Sequence, residues 1–229
     1  MNTNFEYYYN HVPGKDPSRN NLIYTSLINK DRTVFVQWFH NDSAYHKGYN
    51  EVLDQHLMLA KWQRECDMLS KMQHTFADHV PKIIDIDHAE KKIYLEIQNV
   101  DFWEQSHGKE FTQVLPDWQS QMLEIIQAHQ QLGLYKYSLH PSSYFIVNGK
   151  LKSINYFFCY HEDEPAITVQ DHLSHISHNR RQHVYDHMAR MGINVNQPTD
   201  YKKLQILCLK SFSDCYPKQF IDQAIKLFQ

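Results

Sequence analysis

One stretch decides how this chain is read: Gly133-Leu134-Tyr135-Lys136-Tyr137-Ser138-Leu139-His140-Pro141-Ser142-Ser143-Tyr144-Phe145-Ile146-Val147-Asn148-Gly149-Lys150-Leu151-Lys152-Ser153-Ile154-Asn155-Tyr156-Phe157. In its second half the run Tyr144–Val147 and the run Lys150–Tyr156 flank Asn148-Gly149. Asn-Gly between apolar runs is the strongest short-range hairpin signal, because a two-residue loop needs positive φ at both positions. Upstream, residues 115–133 carry apolar residues at helical spacing and end in Gly133, which reads as a helix with a glycine stop.

Working outward, Leu22–Ile28 and Thr33–Phe39 are rich in β-branched and aromatic residues and enclose a turn at Asn29-Lys30-Asp31-Arg32. They predict a second hairpin. Residues 10–22, with Pro13, Gly14 and Pro17 among polar neighbours, read as a loop. From Tyr49 to Met72 the period becomes helical through Leu53, Leu57, Ala60, Cys66, Leu69 and Met72. Pro81–Asp87 and Lys92–Ile97, joined by His88–Lys91, predict another strand pair. The cluster Tyr7-Tyr8-Tyr9 with Phe5 reads as a first strand or part of the core in preference to a sticky docking segment. Beyond residue 165 the period is helical near 168–191, 199–213 and 217–228, broken at Gly192–Pro198 and at Cys215-Tyr216-Pro217. The expected class is α+β.

Composition narrows the function classes. A chain of 229 residues, 42% hydrophobic and 14% aromatic, can bury a sizeable core as one large domain or two small lobes. Lys and Arg number 23 against 26 Asp and Glu, so no net field favours nucleic acid or an anionic membrane. Cys66, Cys159, Cys208 and Cys215 lack C-x-x-C spacing and read as free thiols of a reducing compartment. The start, Met1–Glu6, is polar, without a basic region followed by an apolar run, and no run of 18 apolar residues occurs. A cytoplasmic protein with neither nucleic-acid nor membrane partners is expected.

The order of elements and several spacings resemble the protein-kinase superfamily. Gly133, Leu139, Pro141, Ser142, Ile146 and Gly149-Lys150-Leu151-Lys152 fall in step with the stretch running from the kinase catalytic loop to the metal-binding loop. The resemblance puts Ser138 at the catalytic aspartate, His140 at the loop lysine, Ser143 at the metal-binding asparagine and Asn155 at the D-F-G aspartate. Val34-Phe35-Val36-Gln37 stands where a kinase has V-A-I-K, with Gln37 at the lysine, and Glu65 in Arg64–Leu69 stands at the glutamate that pairs with it. No G-x-G-x-x-G and no A-P-E-like segment is present; Gly14 stands alone before the first strands. The implied fold is two-lobed: an N-lobe over 1–100 with an antiparallel sheet and one helix, and a reduced helical C-lobe over 101–229, together one domain. The short second part resembles compact, degenerate kinase-like chains of bacteria and viruses, which in a viral case implies the host cytoplasm.

The changed residues matter chemically. Phosphoryl transfer needs Mg²⁺ on the phosphates, a carboxylate to hold it and a group to orient the nucleophile. Mg²⁺ prefers hard anionic oxygen, whereas Asn155 offers a neutral carbonyl and Ser143 a hydroxyl. Ser138 takes no proton near neutrality, and Gln37 brings no charge to a phosphate. The resemblance therefore implies a pseudokinase with no catalytic residue intact and no required cofactor or metal, working as a protein-binding or regulatory module. A vestigial nucleotide cleft with weak ATP affinity is placed at Gln37, Glu65, Gln98 and Asn155, with the hinge near Gln98–Trp103. The alternatives are a divergent small phosphotransferase using ATP with non-standard residues, and a metal- or nucleotide-responsive regulator.

Other constellations have plainer readings. His172, His175, His178, His183 and His187 share one region, and the i, i+4 pair His183/His187 has metal-ligand spacing. Without a third ligand or H-E-x-x-H, and with Arg180 and Arg181 among them, they read as a solvated face. His161-Glu162-Asp163-Glu164 offers carboxylates displaced from the Asn155 position, yet reads as a solvated loop. His140 reads as a locally bonded loop residue rather than a substitute base, and Glu65 is either inward and paired or exposed. Ser138 and His140 lack the G-x-S-x-G elbow of a hydrolase.

Overall fold

The computed structural model describes residues 4–8, 24–40, 55–165, 194, 196–198 and 200–229. The loop expected over 10–22, residues 49–54 of the helical stretch expected from Tyr49 (Leu53 among them), Leu22 and Ile23, and the helical segment expected near 168–191 with its histidines His172 to His187 lie outside these described residues. The chain forms two compact units, Met1–Trp118 with Pro141–Phe157, and Gln119–His140 with Phe158–Gln229. Among the described residues the class is mixed α+β, with six α-helices and a five-stranded antiparallel sheet.

The first unit is built on that sheet. Its strands β1 (Phe5–Tyr7), β2 (Thr25–Asn29), β3 (Val34–Trp38), β4 (Ile83–Asp87) and β5 (Lys92–Glu96) lie in the order β1-β2-β3-β5-β4. The hairpin expected around residues 29–32 forms in the register Leu27↔Val36 and Ile28↔Phe35. Its turn is organised by Asn29, whose Oδ1 accepts from the amides of Thr33 and Val34 at 2.8 and 2.7 Å. That local bonding lets Arg32 sit at φ 53° without a glycine. Period-2 alternation sends Ile28, Phe35, Ile93 and Leu95 to one buried face, and Gln37 shares it.

Helix α1 (Gln55–Thr75) buries Met58, Trp62, Cys66, Leu69 and Met72. Ala60, expected on this stripe, is exposed, and the buried face takes in Lys61 and Glu65 instead. Burial pushes the Cys66 thiol up to about 12, with the neighbouring Glu65 charge adding to it, so this cysteine is an unreactive core residue. All four cysteines are free.

Two four-residue helices, α2 (Phe102–Gln105) and α3 (Phe111–Val114), follow β5. The helix expected over 115–133 begins later, as α4 (Trp118–Gln131). Pro116 is the reason: it disfavours a helical residue before it, and Leu115 is extended at φ −144° and ψ 100°. Trp118, 1% exposed, packs against the rings of Phe102 and Phe111. The last element of this unit is the hairpin β7 (Tyr144–Val147) and β8 (Lys150–Ser153), with Asn148 at φ 53° and Gly149 at φ 72° as a two-residue loop needs. The strand expected to run to Tyr156 stops at Ser153, because Asn155 turns left-handed at φ 68°.

Buried beside the sheet, Tyr8 Oη donates to Asp101 Oδ2 at 2.6 Å while Asp101 Oδ1 accepts from the Glu104 amide at 3.0 Å, capping α2. Asp101 is 1% exposed, and burial raises its carboxyl to about 7 against the lowering effect of the Tyr8 hydrogen bond. A folded-state value above the unfolded one means the native chain holds this proton more tightly. Stability from this group is therefore greatest below the unfolded value near 4 and falls as pH rises to about 7, by up to about 4 kcal/mol. Urea midpoints measured from pH 4 to 8 should fall across that window, and Asp101→Asn should flatten the fall.

The second unit holds most of α4, then β6 (Leu134–Lys136) paired with β9 (Cys159–His161) in the register Tyr135↔Tyr160. Neither strand was visible as a separate element in the sequence. The glycine stop falls where expected, at Gly133 with φ 65°, and a Cβ there would meet the Glu162 carboxyl at 3.0 Å. Helices α5 (Tyr201–Ser211) and α6 (Lys218–Lys226) lie within the expected segments 199–213 and 217–228. They contribute Leu204, Leu207, Leu209, Phe220 and Ala224 to the core. Among the described residues, no helix is long and apolar enough to cross a membrane.

Candidate functional site

The first unit gathers four of the residues singled out from the sequence into one buried polar network: Gln37, Glu65, Ser143 and Asn155. Gln37 is carried by β3 and is 0% exposed; Glu65 is carried by α1 and is likewise 0% exposed. Ser143 ends the 3-10 turn Pro141–Ser143, and Asn155 follows β8.

Asn155 is the hub. Its Oδ1 accepts from Tyr24 Oη at 2.7 Å and from Gln37 Nε2 at 3.1 Å. Its Nδ2 donates to Ser143 Oγ at 2.9 Å. The amide oxygen has two lone pairs, so both are taken by neutral protein donors. The left-handed backbone that points this side chain inward is one that asparagine tolerates better than most residues. Ile154 N donates to Ser143 O at 2.9 Å, which fastens the segment before Asn155 to the start of the hairpin.

Glu65 does something different from pairing with residue 37. Its Oε1 accepts from the Asn155 amide at 3.0 Å and its Oε2 from the Phe157 amide at 2.7 Å. One turn earlier on the same helix face, Lys61 Nζ donates to Phe157 O at 3.2 Å. Two oppositely charged side chains at i and i+4 thus grip the backbone of residues 155–157 by two of its donors and one acceptor. Among the described residues nothing donates to Gln37 Oε1, which is buried. Tyr24 packs against Phe157 and Phe39, closing the network with aromatic surface.

Gln98 takes no part in these contacts. Its Nε2 donates to Asn148 Oδ1 and its Oε1 accepts from the Asn148 amide, each at 2.7 Å, so it holds the β7–β8 loop. Ser138 and His140 belong to the second unit. Ser138 O accepts from the buried Lys136 ammonium, and the His140 ring lies 6.2 Å from that of Phe212, as a locally packed loop residue would. In 161–164, His161 Nδ1 is 3.3 Å from Asp163 Oδ2, while Glu164 Oε1 accepts from the His161 amide at 2.7 Å. Among the described residues no group of three or more His, Cys, Asp or Glu side chains is placed to hold a metal ion.

Tyr24 and Lys61 were not anticipated. Lys61 had a signal, since it lies in phase with Met58, Trp62, Glu65 and Leu69 on the buried face of α1. Tyr24 had none, as its partner is 131 residues away along the chain. Chemically the network holds one backbone segment in a single conformation, with a carboxylate spent on main-chain amides. Comparison with protein-family models and with curated protein sequences returned no match.

Proposed function

We propose that this chain is a kinase-like protein without phosphotransferase chemistry, acting in the cytoplasm as a regulatory module that binds another protein. The five-stranded antiparallel sheet with one long helix supports the fold reading. One observation carries the functional reading: the carboxamide oxygen of Asn155, at the position the resemblance gives to a metal-binding aspartate, is saturated by Tyr24 and Gln37. A divalent cation would have to displace two hydrogen bonds to reach a neutral ligand, which is poor exchange for a hard ion. Glu65 is likewise committed to the amides of residues 155 and 157. The retained scaffold is then a surface for a partner, and its former chemical centre is a structural lock. Four free thiols agree with a reducing, cytoplasmic setting.

The test is a thermal-shift titration with ATP, with and without Mg²⁺ or Mn²⁺. The proposal expects no metal-dependent rise in melting temperature at millimolar nucleotide. A rise that requires the divalent ion would overturn it and favour the divergent phosphotransferase.

A further inference from the structure

The bonding of Gln98 assigns it a role that its position in the sequence did not suggest. Asn148-Gly149 occupies the two loop positions of the β7–β8 hairpin, and both residues are exposed. Asparagine followed by glycine is chemically labile, because glycine presents no side chain to obstruct attack by its own backbone nitrogen. We propose that Asn148 is a deamidation site and that the Gln98 carboxamide guards it.

The reaction needs only water. The Gly149 nitrogen attacks Cγ of Asn148, a C–N bond forms, and Nδ2 leaves as ammonia carrying the proton released from the Gly149 nitrogen. Water then opens the five-membered imide at either carbonyl, giving aspartate or a β-linked aspartate. Ring closure requires Cγ to swing over the Gly149 nitrogen, and that motion pulls Oδ1 away from Gln98. Gln98 opposes it twice: Nε2 holds Oδ1 at 2.7 Å, and Oε1 holds the Asn148 amide at 2.7 Å, fixing side chain and main chain together.

The consequence reaches the buried network. A β-linked residue adds one atom to the main chain of a loop that has no slack, between the paired residues Val147 and Lys150. Strand β7 follows directly on Ser143, whose Oγ and carbonyl hold Asn155 and Ile154. Loss of this hairpin would therefore loosen the Asn155 hub.

The experiment ages the full chain at mildly alkaline pH in three forms: native, Gln98→Ala, and the unmodified chain held in urea. Peptide mass mapping then follows the amide-to-acid mass change at Asn148. Gln98→Ala should deamidate roughly tenfold faster than the native chain, the scale set by losing two exposed hydrogen bonds. The chain in urea should be at least as fast as that variant. Equal rates for native chain and Gln98→Ala would overturn the guarding role. A native rate equal to that in urea would do the same without relying on the variant's folding.

Discussion

Glu65→Ala is expected to lower the stability of the chain by about 4 kcal/mol, read as the urea midpoint multiplied by an unchanged slope. The size follows from what the carboxylate does. It is fully buried and accepts from the amides of Asn155 and Phe157, at 3.0 and 2.7 Å. Alanine leaves both donors inside the unit without this acceptor, at about 1–3 kcal/mol each. It also removes the carboxylate that accompanies Lys61, a buried residue whose ammonium donates to the Phe157 carbonyl. Glu65→Gln keeps one oxygen for one amide and should cost about half as much. A loss below about 1 kcal/mol for alanine would match an exposed helix residue and contradict this account.

Asn155→Ala should be the second severe substitution, at about 3–4 kcal/mol. It leaves Gln37 Nε2 without its acceptor and takes one partner each from Tyr24 and Ser143. It also places alanine at φ 68°, which adds about 1 kcal/mol of backbone strain. Asn155→Asp is the more informative partner. It keeps an acceptor for Tyr24 and Gln37 but buries a charge beside the Glu65 carboxylate that binds its own amide. Desolvation and the like charge would raise the new carboxyl above its unfolded value. Its penalty should then be small in acid and grow as pH rises through the raised value, a slope the native asparagine lacks. Denaturation midpoints at pH 4 and pH 8 separate the two variants.

The sequence made some elements legible and hid others for physical reasons. All three hairpins were readable, because Asn29, Asp87 and Asn148-Gly149 act within their own loops. The β6–β9 pair was not, since three-residue strands are too short to show a period and their partners lie far apart in the chain. The apolar spacing over 115–133 starts before the helix does, because Pro116 holds Leu115 extended and α4 begins only at Trp118. At the site, the resemblance put Gln37, Glu65, Ser143 and Asn155 in correspondence, and these four do meet. What they do to one another depends on Tyr24, brought in by the β2–β3 hairpin, and on the left-handed turn at residue 155. Gln98 was grouped with them by its place after β5, yet its side chain is engaged by a loop fifty residues on.

In the function proposed above, the Asn155 hub is a structural lock and holds no metal–nucleotide complex. The most direct test is paramagnetic broadening by Mn²⁺ with ATP, read at the side-chain amide resonances of Asn155 and Gln37 in ¹⁵N-labelled chain. The account predicts that both resonances keep their intensity when Mn²⁺ and ATP are added together. Selective loss of the Asn155 signal, requiring nucleotide and metal at once, would put the ion at the hub and contradict it.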